Sequence, residues 1–412
     1  MKARRASLLT AVTAAAAAVL AALPATPSSA APDAITAGTG PDLSQYTVRF
    51  QDDFNSLDTS TWNFRTDAKA HSCQKADNVS VSNSTLVIDL KKESATCAGQ
   101  TWNWTGGGVV SKQKYRYGYY EARAKMPSGP GWHSAFWSMC GDGSTTSPAC
   151  RQTEIDGYEV ESASPTKIRH NMFDWSKGYF ETTISPYDPG VEDPADLSGY
   201  NSTDWHTYGY LYDETGVTFY IDGVKVPVDD GTLKWTASAH PGDWMNIWLT
   251  SIVFNNPTAQ NAPGQFLVDW TKFWEKDRYI DNDGADPGDT YTESGGGWAT
   301  SGTAKNGFAQ SSSRYSCTAG STARWTTPGL AAGKYKVSIY NVSDSNSDSA
   351  AKVAFTHDGQ ASNYTLDQKN TASGWHQLGD EVTLGSGQQS VSITASGTGC
   401  ARADSVKFER VG

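Results

Sequence analysis

The chain is poor in metal-binding side chains. Six cysteines, seven histidines and five methionines are spread over 412 residues, with no Cys-x-x-Cys and no pair of histidines at ligand spacing, which argues against a zinc site. Cationic charge is short as well: 33 Lys and Arg stand against 44 Asp and Glu, a net charge of −11. That excludes the clustered basic face on which phosphate binding, and so nucleic-acid binding, depends. No stretch with a 3.6-residue apolar period runs beyond two turns, so long amphipathic helices are not expected. After one apolar run near the N-terminus, no second segment is long enough to cross a bilayer. What the chain has is 15 Trp, 19 Tyr and 13 Phe among 39 Gly and 17 Pro. A polar, turn-rich, aromatic-studded sequence of this kind suits β-sheets that face carbohydrate or peptide.

The first thirty residues place Lys2, Arg4 and Arg5 ahead of an apolar stretch at 6–23 and end in Pro27-Ser28-Ser29-Ala30. Basic, apolar and small-residue segments in that order make residues 1–30 a secretory signal peptide; a retained membrane anchor is the other reading of the same run. The expected product is secreted, extracellular and monomeric, with no membrane contact after cleavage and no nucleic-acid partner. Export makes the cysteines readable as bridges. Six of them allow fifteen pairings, and pairing nearest neighbours, Cys73–Cys97, Cys140–Cys150 and Cys317–Cys400, keeps each bridge inside one domain.

Residues 31–45 are small and polar and read as a flexible approach to a first domain at 46–275, where short runs alternate between apolar and polar residues among turn signals. Many strands at short spacing read as a β-sandwich. Residues 276–289 carry five Asp and little that could pack, and read as an acidic linker. A calcium loop is the competing reading there, but Gly284 is misplaced for one and no Glu closes it. Residues 290–412 hold 10 basic and 9 acidic residues, so the acidic excess lies before them. They alternate again and read as a smaller all-β domain.

One segment stands out chemically: Thr153-Glu154-Ile155-Asp156-Gly157-Tyr158-Glu159-Val160-Glu161. Residues two apart on a strand share a face, so Glu154 and Asp156 point one way and Ile155 the other. Glu159 is out of phase by one, and an extra residue at Gly157-Tyr158 restores the phase. Three carboxyl groups in line repel, and at least one should hold its proton. Such a strand reads either as an acidic edge that deters aggregation or as the pair of unlike acids that glycosidic hydrolysis demands, one ionised and one protonated.

The flanking segments separate these readings. They are Tyr117-Gly118-Tyr119-Tyr120-Glu121-Ala122-Arg123, Gly131-Trp132-His133-Ser134-Ala135-Phe136-Trp137, Trp205-His206-Thr207-Tyr208-Gly209-Tyr210 and Phe266-Leu267-Val268-Asp269-Trp270. In order and spacing the chain resembles glycoside hydrolase family 16, in the branch whose signature is Glu-x-Asp-x-x-Glu. The resemblance implies an all-β fold, a curved two-sheet jelly-roll sandwich with the substrate in a cleft, and hydrolysis with retention and without a cofactor. Carried over residue by residue, Glu154 is the nucleophile, Glu159 the acid/base and Asp156 the partner of the nucleophile. Retention needs the two Glu carboxyl groups about 5–5.5 Å apart, whereas two same-face steps span about 13 Å, so the side chains must lean inward. Trp137 matches an aromatic subsite residue and Trp132 is a second candidate, against the alternative that either is core. His170 is read as reaching the cleft from the next strand or as lying at the surface. Asp269 matches an Asp that in many relatives helps to hold a structural calcium.

Two departures from the family pattern bear on substrate. His133-Ser134 replaces the usual Trp-Pro, and the bulged signature argues against the mixed-linkage lichenase and xyloglucan branches. It leaves β-1,3-glucanases of the laminarinase kind, with agarases, carrageenases and porphyranases as the galactan alternative and a non-catalytic glycan-binding protein as another. Sulfated galactans favour a basic cleft, so the acidic domain favours a neutral β-1,3-glucan. Residues 290–412 resemble the golvesin or xanthan-lyase-like C-terminal sandwich through Gly333-Lys334-Tyr335, Gly374-Trp375-His376-Gln377-Leu378-Gly379 and Ala403-Asp404-Ser405-Val406. Carbohydrate binding and a spacer role are both open for it.

Overall fold

A computed structural model describes residues 40–144, 153–174, 179–184, 199–226, 232–234, 242–254, 263–284, 286, 288–302 and 307–412. The signal-peptide region and Cys150 lie outside these residues.

The alternating segments do form strands, and the first domain is built from two nine-stranded sheets packed face to face. One sheet runs in the order Val224–Lys225, Gly216–Ile221, His206–Tyr212, Gly118–Lys125, Gly264–Glu275, Leu86–Leu90, Val79–Val81, with Thr47–Asp52 also paired to Gly264–Glu275. The other runs Tyr179–Ile184, Arg169–Asp174, Thr153–Glu161, His133–Met139, Met245–Ile252, Thr105–Tyr115, Ser72–Gln74, Ala68–Lys69. Between them lies a core rich in aromatic rings, including Tyr120, Phe136, Tyr158, Tyr208, Tyr210, Phe219 and Phe273. Tyr120 and Tyr210, paired on neighbouring strands of one sheet, stack at 4.7 Å. A ring buries more apolar area than any aliphatic side chain while its hydroxyl seeks a partner; Tyr210 finds one in the Ser138 hydroxyl. Disulfides join Cys73 to Cys97 and Cys317 to Cys400.

The second domain is a smaller sandwich. One sheet holds Arg278–Asp281, Ser405–Arg410, Gly333–Asn341 and Gly374–Gln377; the facing one holds Thr290–Ser294, Thr322–Thr327, Gln389–Thr394, Ala351–His357 and Gln360–Leu366. Its core includes Trp325, Val337, Ile339, Val353, Val391 and Phe408.

The segment 276–289 is not the loose tether its composition implied. Arg278–Asp281 is a strand paired with Ser405–Arg410, and Arg278, Tyr279, Ile280, Asp281 and Asp286 are all buried. Arg278 gathers the nearby acids, with Glu275 at 2.7 Å, Asp286 at 3.1 Å and Asp289 at 3.0 Å. Asp281 meets Arg116 of the first domain at 3.4 Å. Tyr279 lies parallel to Phe308, and both belong to the core cluster of the first domain. Glu214 accepts hydrogen bonds from Tyr279, Trp375 and Lys407. The charged segment packs because Arg278 and Arg116 meet Asp281, Asp286 and Asp289.

Candidate active site

The acidic strand Thr153–Glu161 sits between His133–Met139 and Arg169–Asp174. Ile155, Tyr158 and Val160 enter the core between the sheets, so alternation sends Glu154, Asp156, Glu159 and Glu161 to the opposite, outer face. The phase break falls where the sequence predicted. Phe136 pairs with Tyr158 and Trp137 with Asp156, leaving Gly157 without an opposite number. Glycine is needed at that bulge for space: a Cβ there would lie 2.4 Å from the Tyr210 ring of the facing sheet. One extra residue thus brings all the carboxyl groups to one face.

Each acid meets different surroundings. Glu159 receives hydrogen bonds from His133 Nε2 at 2.8 Å and from the Asn171 amide, and Arg169 stands opposite it on the next strand. Burial pushes its carboxyl up, but the charge and hydrogen bond of His133, the charge of Arg169 and the Asn171 bond outweigh that and hold it below the usual range. Asp156 is driven the other way. Burial raises it far above the ordinary carboxylate range, the charges of Glu159 and Glu154 add to this, and a hydrogen bond with Asn171 only partly opposes it. A hydrogen bond to Glu154, its neighbour on the same face, favours the protonated form of Asp156 further. Glu154 itself is part-exposed. The strand thus holds carboxyl groups pushed in opposite directions three residues apart, Asp156 up and Glu159 down.

An aromatic floor extends from the acids. Trp137 stands opposite Asp156 on one side and Trp248 on the other. The two indoles stack at 4.6 Å and form, with Val110 and Ala135, an apolar cluster on the outer face, separate from the core. The Trp137 indole N–H donates to Thr250 Oγ1 at 3.0 Å. The Arg65 guanidinium lies 5.7 Å and 5.8 Å from the centroids of the two rings, within cation–π range, and is paired with Asp67 at 2.8 Å.

Of the residues singled out from sequence, Glu154, Asp156, Glu159 and Trp137 share this face. Three others do not. Trp132 is fully buried and packs edge-on against Trp104 inside the core; it lies an odd number of residues before Trp137, so alternation turns it inward. His170 is buried between the sheets against Phe219, with Nδ1 on the Gly157 carbonyl. Its neighbours Arg169 and Asn171 take the outward positions opposite Glu159 and Asp156. Burial pushes the His170 imidazole down to about 4, so it is neutral. Asp269 is ion-paired with Arg123 at 2.7 Å. Among the described residues no group of three or more His, Cys, Asp or Glu is placed to hold a metal ion.

Residues missed from sequence are His133, Asn171, Arg65 and Trp248. Only His133 had left a signal, as a departure from the Trp-Pro pattern. The others became visible through cross-strand register, which no single segment carries.

Two family models match the chain. The model of Glycosyl hydrolases family 16 matches residues 66–272, and that of the Golvesin C-terminal domain matches residues 281–410. The chain is similar to a kappa-carrageenase of Pseudoalteromonas carrageenovora, 28% identical over 58% of this chain and 66% of that protein. It is also similar to an endo-1,3-1,4-beta-glycanase of Rhizobium meliloti, 26% identical over 51% of this chain and 74% of that protein. A third relative, a beta-glucanase of Acetivibrio thermocellus, is 28% identical over 48% of this chain and 55% of its own length. Among solved structures, a laminarinase catalytic domain from Thermotoga maritima aligns over 56% of this chain and 98% of that one, at 19% identity and a TM-score of 0.45.

Proposed function

The chain belongs to glycosyl hydrolases family 16, and from that membership we propose that it is a secreted endo-acting β-glycosidase that cleaves a β-1,3-glucan with retention of configuration. The domain at 46–275 performs the reaction. Glu154 attacks the anomeric carbon, Glu159 protonates the leaving oxygen and later deprotonates water, and Asp156 donates its proton to Glu154 until attack begins. Double displacement needs two acids of opposite protonation on one face. The observation that carries the reading is the bulge at Gly157, which turns Glu154, Asp156 and Glu159 to one face beside the Trp137–Trp248 floor. Sugar rings stack on such flat aromatic surfaces.

A neutral glucan is favoured over a sulfated galactan because the guanidinium above the floor, Arg65, is already paired with Asp67. A cation so neutralised offers little to a sulfate ester. In the domain at 290–412, two of the tryptophans are committed to packing: Trp325 is fully buried and Trp375 donates to Glu214 across the joint. That favours a supporting role for the domain over a row of exposed sugar platforms.

Release of reducing ends from laminarin, lichenan, agarose and carrageenan tests the substrate. Laminarin is expected to be cleaved fastest. Cleavage of agarose or carrageenan alone would replace the glucan with a galactan, and no cleavage of any of the four would favour a non-catalytic glycan binder.

A further inference from the structure

Resting on the role given to Glu159, we propose that His133 is a positioning residue that shares one proton with Glu159 and lends it for protonation of the leaving oxygen. His133 enters from the strand beside the acids, its ring buried and stacked on Phe254 at 5.1 Å. Nε2 lies 2.8 Å from a Glu159 oxygen and Nδ1 lies 2.9 Å from a Glu161 oxygen. A neutral imidazole has one N–H and one lone pair, so either tautomer would aim a lone pair at a carboxylate. With both acids ionised, the two contacts are satisfied together only when both nitrogens carry hydrogen.

The other groups around the pair are accounted for. Glu159 and Glu161 come from the acidic strand, with Asp156 beside them; Arg169 and Asn171 come from the strand beyond it; Ile252, opposite His133, and Phe254 bring no charge from the third side. Against a burial that would strip its proton, the two carboxylates raise the imidazole to about 9.

The proton bookkeeping closes without a co-reactant. As the glycosidic C–O bond breaks and a Glu154 oxygen bonds to the anomeric carbon, the Nε2 proton passes to Glu159 and a Glu159 proton passes to the departing oxygen. In the second step water attacks the anomeric carbon, the bond to Glu154 breaks, and the proton released by water returns through Glu159 to Nε2. The acid is then a carboxylate backed by an imidazolium, so activity should persist to a pH at which a lone carboxylic acid has lost its proton.

Two measurements on the full chain test this. The first compares the pH profile of kcat/KM on laminarin for the wild type and His133→Gln, whose amide can still donate to Glu159 but does not titrate. The alkaline limb should fall by about two pH units, from about 9 to about 7, lowering the ratio of activity at pH 8 to that at pH 5.5 by about tenfold. The second follows the ring nitrogens of His133 in the wild type by NMR; both should remain protonated at pH 7. An unmoved limb, or a neutral imidazole at pH 7, overturns the proposal. If the wild type does not cleave laminarin the substrate reading fails, while the nitrogen titration, which needs neither substrate nor variant, still decides this one.

Discussion

Two places in the molecule crowd several carboxyl groups around a buried cation, and they differ in which cation it is. At the joint between the domains, Arg278 faces Glu275, Asp286 and Asp289, and is itself only 3% exposed. On the acidic strand, His133 faces Glu159 and Glu161, with Asp156 and Glu154 on the same face. A guanidinium keeps its proton at every pH the fold survives, so the joint holds its shape and exchanges nothing through its cation. An imidazole gains and loses its proton in the physiological range. Crowded acids by themselves therefore do not distinguish the two places; the titratable counter-ion does.

The contrast can be broken at either end. The largest effect should follow Glu154→Gln, which removes the oxygen proposed to attack: hydrolysis of laminarin should fall by about 10,000-fold, while pull-down on insoluble glucan stays near wild type. Comparable hydrolysis by that variant would place the chemistry elsewhere. At the joint, Arg278→Ala should leave three acids without their cation and cost about 3–5 kcal/mol of stability, read as a lower urea midpoint. Its specific activity, measured below that midpoint, should be retained. A loss of activity without a loss of stability would make the joint part of the reaction.

The smallest effect separates the clusters by pH. The folded imidazole of His133 is raised to about 9 from an unfolded value near 6.5, so its contribution to stability is complete below about pH 6.5 and is lost as pH rises through about 9. Asp281 at the joint is raised by burial to about 7, against the pull of Arg116; its contribution is present below about pH 4 and is lost as pH rises through about 7. Unfolding midpoints should therefore fall in two separate windows. His133→Gln should flatten the upper one, worth about 1–3 kcal/mol, and leave the lower one intact.

Much of this was legible in the sequence where a period of two sufficed. Ile155 against Glu154 and Asp156, and the broken phase at Gly157, gave the face and the bulge without any tertiary information. The same alternation, applied backward from Trp137, would have turned Trp132 inward; treating it as a platform rested on its residue type alone. His170 and Asn171 could not be sorted from one strand, because which of them points outward depends on Glu159 pairing with Arg169. The segment 276–289 was misread for a related reason. Three of its five Asp are met by cations, Asp286 and Asp289 by Arg278 within the segment and Asp281 by Arg116, a residue far away in the chain that the fold brings near.

The most direct test of the central claim, that the outer face of Thr153–Glu161 is where a glycosidic bond is broken, is peptide mass mapping after reaction with an activated 2-deoxy-2-fluoro laminaribioside, which slows turnover of a covalent intermediate. The account predicts one added glycosyl mass, on Glu154. Label on Glu159 instead, or turnover of laminarin with no label on this strand, would contradict it.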